Sequence, residues 1–144
     1  MPKTTTSSAE YTVLEDNLFI CKMLENSTVD LKDVDENLFM VLSLAKGKRY
    51  AVLVDARHPT TISKEAMEYA ARPECYKDLI AQAIVTDSLA NRLVGNFIIK
   101  FHKPSSPTRL FSKMEEAETW LRDCIAKEDN PAESGKKSGL KMFM

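Results

Sequence analysis

The sequence predicts an α/β fold: a mixed sheet of four to five strands flanked by helices, in the order ββαβα(α)βαβα. Three observations lead there. Tyr50–Asp55 and Ala81–Thr86 are apolar runs without alternation, the signature of strands covered on both faces. Between and beyond them, apolar residues recur at steps of three and four, which is one face of a helix. Those helical stretches open on Ser, Thr or Asp and close on Gly, Lys or Pro.

The elements follow in order. Residues 1–9 are small and polar and predict a disordered lead. Two antiparallel strands are expected near 10–15 and 18–25, joined through Glu15-Asp16-Asn17, a turn-forming triplet. Asn26-Ser27-Thr28 breaks the second strand. Leu31, Val34, Leu38, Phe39, Leu42 and Ala45 then mark a helix capped by Thr28 or Asp30, with Asp33, Asp35 and Glu36 at its positive end. Gly47 and its flanking lysines stop it.

Strand 50–55 comes next, then a loop over 56–61, then a helix over 63–72. Ser63 caps that helix, and Ile62 and Met67 form a hydrophobic staple. Pro73 ends it at Arg72, and a short helical piece follows around 74–80. Strand, helix, strand 81–86 is a βαβ unit, so its two strands should be parallel. A helix over 88–101 carries Leu89, Leu93, Phe97 and Phe101 at i+4 steps, beside Ala90, Val94 and Ile98. Pro104 closes that segment. Thr108–Phe111 is a short strand, and Ser112-Lys-Met-Glu115 is a capping box opening the last helix. Residues 128–144 turn to Lys, Glu, Asn, Pro, Ser and Gly, the composition of a flexible tail. One domain over 10–127 is therefore expected.

Composition narrows the function classes. Of 144 residues, 44% are hydrophobic and 28% charged, as in ordinary globular domains. A net charge of −1 gives no field for nucleic acid. Apolar runs of four or five residues are far short of a membrane span, and the N-terminus has no signal-peptide core. Cys21, Cys75 and Cys124 are widely spaced and odd in number, which predicts reduced thiols in a cytoplasm. No metal-ligand spacing and no glycine-rich phosphate loop is present, so no metal and no cofactor is expected.

Three stretches carry a family resemblance: VLVDAR (52–57), AIVTDSLANRLVGNF (83–97) and KPSSPTRLFSKMEEAETWL (103–121). Together with the element order over residues 11–126 they resemble the bacterial STAS-like, SpoIIAA-like domains, related in fold to CRAL-TRIO lipid-exchange domains. The resemblance implies a mixed sheet flanked by helices. It also implies either phosphorylation-controlled protein binding or binding of a small apolar or anionic ligand. In anti-sigma-factor antagonists an Asp-Ser pair opens the helix after the third strand. Here that region reads Asp55-Ala-Arg-His-Pro-Thr-Thr-Ile-Ser63, with Ser63 at the cap and Thr60 and Thr61 before it. No Asp-Ser-Ser-Gly occurs.

Ligands of open α/β sheets bind beyond the carboxyl ends of the strands. That rule points to Asp55, Arg57, His58, Thr60, Thr61 and Ser63 on one loop, and to Asp87, Ser88 and Arg92 on the next. The backbone N–H groups of the two helix starts would favour an anion there. The plainer reading makes Ser63 and Ser88 caps and the arginines solvated. Asp55, His58 and Ser63 lack a nucleophile elbow, so a hydrolase triad ranks last. A separate apolar pocket, or a homodimer face, is drawn from Phe39, Leu93, Phe97 and Ile98 under helix 88–101. The expected function is a non-enzymatic regulatory or protein-interaction domain. The alternative is a carrier of a small molecule or lipid in that pocket.

Overall fold

The computed structural model describes residues 3–58, 60–88, 92–93, 96 and 106–128. In chain order the elements are β1 (Lys3–Thr5), β2 (Ala9–Glu15), β3 (Leu18–Met23), β4 (Ser27–Val29), α1 (Leu31–Ala45), β5 (Tyr50–Asp55), β6 (Thr60–Ile62) and α2 (Lys64–Ala70). A 3-10 turn at Pro73–Tyr76, β7 (Leu79–Val85), β8 (Thr108–Phe111) and α3 (Met114–Glu128) complete them. Six strands form the main sheet in the order β1-β2-β3-β5-β7-β8. β1, β2 and β3 are joined antiparallel, whereas β3, β5, β7 and β8 run parallel. The expected βαβ unit is thus present, with β5 and β7 direct neighbours.

The continuous apolar runs do what their lack of alternation requires: they bury both faces. Ala51 and Leu53 of β5 and Ala81, Ala83 and Val85 of β7 pack under Ala117, Leu121 and Ile125 of α3. Tyr50 and Val52 face the other way and meet Phe19 and Cys21 of β3 and Val41 and Ala45 of α1. Each face therefore has its own core.

Three expectations change. The lead is not disordered throughout: Lys3–Thr5 pairs with Glu10–Thr12 as the edge strand β1. Its anchor is polar, which a hydrophobic pattern cannot reveal. The buried Thr6 hydroxyl accepts the Ala9 N–H at 3.1 Å and donates to Asn37 Oδ1 at 2.8 Å. Asn37 Nδ2 donates to Ser8 Oγ at 2.8 Å. The second strand ends at Met23, because Asn26 takes a left-handed conformation (φ 61°) and turns the chain into β4. Finally, the loop after Asp55 contains β6, whose three residues pair in parallel with β4 as a small separate sheet.

Candidate functional site

Lys22, Asp55, Val85 and Phe111 lie on one line across the parallel strands, at their carboxyl ends. Asp55 sits centrally on this line and is 3% exposed. A buried carboxylate needs a partner, and Arg57 supplies one. Its Nε and Nη2 donate to Oδ1 and Oδ2 at 2.9 Å each, and its backbone N–H reaches Oδ1 at 3.2 Å. Burial works to raise the carboxyl's pKa, but Arg57's hydrogen bonds and charge, aided by Lys22, hold it below the usual carboxylate value. Arg57 itself remains half exposed and feels Asp87 and Glu115 across the edge.

The neighbouring loop is equally tied down. Ala56 N–H donates to Val85 O at 2.8 Å, and the buried Thr86 donates its N–H to Phe111 O at 3.0 Å. Thr86 Oγ1 accepts the Ser88 N–H at 3.1 Å. Arg92 is turned back onto the protein, donating to Thr86 O at 3.2 Å and Ser112 Oγ at 3.1 Å. Its backbone N–H donates to Ser88 O at 2.9 Å, while most of the helix expected over 88–101 lies outside the described residues.

The residues of the expected loop thus divide in two. Asp55, Arg57, Asp87, Ser88 and Arg92 belong to the strand-end edge, where the two arginines are structural clamps. Thr60, Thr61 and Ser63 belong to the β4–β6 ladder. Ser63 N–H donates to Val29 O at 3.1 Å, and Ser63 Oγ accepts Ala66 N–H at 3.0 Å as the cap of α2. Asp30 caps α1 directly after β4, so the two helix starts stand side by side. Thr28 and Thr61 are paired in register and exposed, and Tyr69 OH of α2 donates to Asp35 of α1 at 2.7 Å. His58 is exposed, and its carbonyl accepts from Thr60 Oγ1 at 3.2 Å. Asp55 is bonded to Arg57, and Ser63 Oγ accepts from Ala66 N–H.

Of the residues drawn on for an apolar pocket or homodimer face, Phe39 is 74% and Leu93 60% exposed, while Phe97, Ile98 and most of 88–101 lie outside the described residues. A cavity of about 240 Å³ lies between α1, α2 and the sheet. Its walls include Tyr11, Cys21, Leu38, Val52, Ile62 and Ala70. The alternating inward residues of β2, β3 and β5 are its sequence trace, but alternation cannot say whether a helix fills the space above them. Among the described residues no three His, Cys, Asp or Glu side chains gather as metal ligands. No described helix is long and apolar enough to cross a membrane.

A family model described as a domain of unknown function, DUF7793, matches residues 12–125. The chain belongs to the DUF7793 family. No curated protein matches it in sequence. Among solved structures, this DUF7793 domain is similar to an uncharacterized protein of the DUF3478 family from Shewanella loihica PV-4, which has a SpoIIAA-like fold. The two are 14% identical, with a TM-score of 0.57 over 79% of this chain and 92% of that one. The DUF7793 domain therefore has a SpoIIAA-like fold.

Proposed function

We propose that this DUF7793 domain is a non-enzymatic regulatory module of a bacterial cytoplasm that presents residues 56–65 to a protein partner. The β4–β6 ladder carries this reading. It lies outside the main sheet, joins the starts of α1 and α2, and holds Thr28 and Thr61 side by side in solvent. Pairing in the ladder sets the two threonines in register with each other, which lowers the ordering cost of docking. Two polar groups of this region already have structural partners, which supports a binding role: the buried Asp55 carboxylate is held by Arg57, and Ser63 is engaged as a cap. The STAS-like resemblance, which implies protein recognition at the helix start after Asp55, supports the same region.

The test is photocrosslinking in the native host, with a benzophenone side chain at position 61 and, as control, at exposed Thr119 on α3. A discrete adduct from position 61, absent from 119 and lost with Thr28→Arg, is expected. Equal labelling from both positions, or none from 61, would sink the reading.

A further inference from the structure

We propose that the cavity between α1, α2 and the sheet binds one small, neutral, mostly apolar molecule carrying a single hydrogen-bonding group. Size is the first constraint. An apolar cavity of about 150 Å³ takes up benzene, so in proportion the 240 Å³ here has room for about ten non-hydrogen atoms. That is a monocyclic or small bicyclic aromatic, or a medium alkyl chain.

Charge is the second constraint. Among the described residues, no Lys, Arg, Asp or Glu lines the cavity. A ligand carboxylate or phosphate would enter without a counter-ion, which burial penalises heavily. The polar groups on the wall are mostly spoken for. Tyr11 OH donates to Asn37 Oδ1 at 2.9 Å, and Asn37 Nδ2 donates to Ser8 Oγ and Asp33 O at 2.8 Å each. Gln82 is the amide on the sheet side: it stands on β7, lines the cavity and is part-buried. One neutral donor or acceptor on the ligand would take the place of water at that amide.

The cavity also reaches the presented ladder. Val29 and Ile62, a register pair of β4 and β6, both line it, and each immediately precedes a helix cap. An occupant would brace the ladder from beneath. That consequence rests on the function proposed above; the binding itself does not.

Indole is the probe: nine non-hydrogen atoms, neutral, one N–H. Methionine-methyl NMR reads it, because Met23 lines the cavity and Met114 packs in the opposite core. The expected result is a saturable shift of the Met23 resonance at one equivalent, with Met114 unmoved. Val52→Phe should fill the space and weaken binding at least about tenfold. Ala70→Leu serves the same purpose if the first variant does not fold. Gln82→Leu should weaken indole about fivefold yet leave toluene within about twofold, the worth of one hydrogen bond. No Met23 shift at low-millimolar indole, or a shift that survives both filling variants, overturns the site. Equal loss of indole and toluene in Gln82→Leu overturns the role of the amide. If indole binds but the position-61 crosslink fails, the cavity stands and the partner surface falls.

Discussion

Asp55 shows how one residue's chemistry can mislead a reading of the sequence. A carboxylate at the end of a central parallel strand has the address of a catalytic group. Its neighbour two residues on turns it into a closed ion pair, since both carboxylate oxygens accept from one guanidinium. The pair has a pH signature. Because the folded-state pKa is depressed, its stabilisation is complete above the unfolded value of about 4 and is lost as pH falls through the folded value. Asp55→Asn should therefore cost about 1–3 kcal/mol at pH 7, with the gap to wild type closing in acid. Arg57→Met leaves the buried carboxylate unpaired, which raises its pKa instead. Its deficit should be similar or larger at pH 7 and begin to close at a distinctly higher pH. Urea unfolding from pH 3 to 7 measures both, and equal closing points would show that Arg57 does not control the carboxyl.

Elements differ in how far the sequence exposes them. β5, β7, α2 and α3 are legible because their apolar patterns are strong, and for α2 the Ser63 cap and the Pro73 stop agree with the pattern. The orientation of α1 is not. Its apolar residues span a wide arc, and the side turned inward is Val34, Leu38, Val41 and Ala45 with the polar Asn37 among them. Leu31, Phe39 and Leu42, counted inward by spacing, are 45%, 74% and 42% exposed. Asn37 is inside because Thr6, Ser8 and Tyr11 need its amide, a tertiary demand that no local window contains. The β4–β6 ladder escapes notice for a related reason: three-residue strands have too little pattern, and their pairing spans a whole helix. The same limit hid the strand-end partners Lys22 and Ser112 and left Ser63 with two readings. As a cap, Ser63 makes a specific prediction. Ser63→Ala should destabilise the fold by about 1 kcal/mol, while Ser63→Asp, which keeps an acceptor for Ala66 N–H, should stay within about 0.5 kcal/mol of wild type. Thermal and urea unfolding decide it, and a neutral Ala variant would free Ser63 from its structural role.

At the scale of the whole molecule, stability is graded from the sheet centre outward. β5 hydrogen-bonds to β3 and β7, β7 to β5 and β8, and both carry cores on their two faces. β1 is a three-residue edge, and β4–β6 is a three-residue pair outside the main sheet. Amides in β5 and β7 should therefore exchange with solvent only through global unfolding, whereas those of β1, β4 and β6 should exchange through small local openings. The grading bears on function, because the proposed partner surface lies in the weakly held part and the proposed cavity lies between it and the strong part. A small ligand under Val29 and Ile62 acts where little energy is needed to change the local equilibrium. Hydrogen exchange with and without indole tests this arrangement. Protection should rise at β4, β6 and the first turn of α2 while β5 and β7 stay at the global limit. If β4 and β6 already exchange as slowly as β5 in the free protein, the ladder is a fixed template and ligand control through it is ruled out.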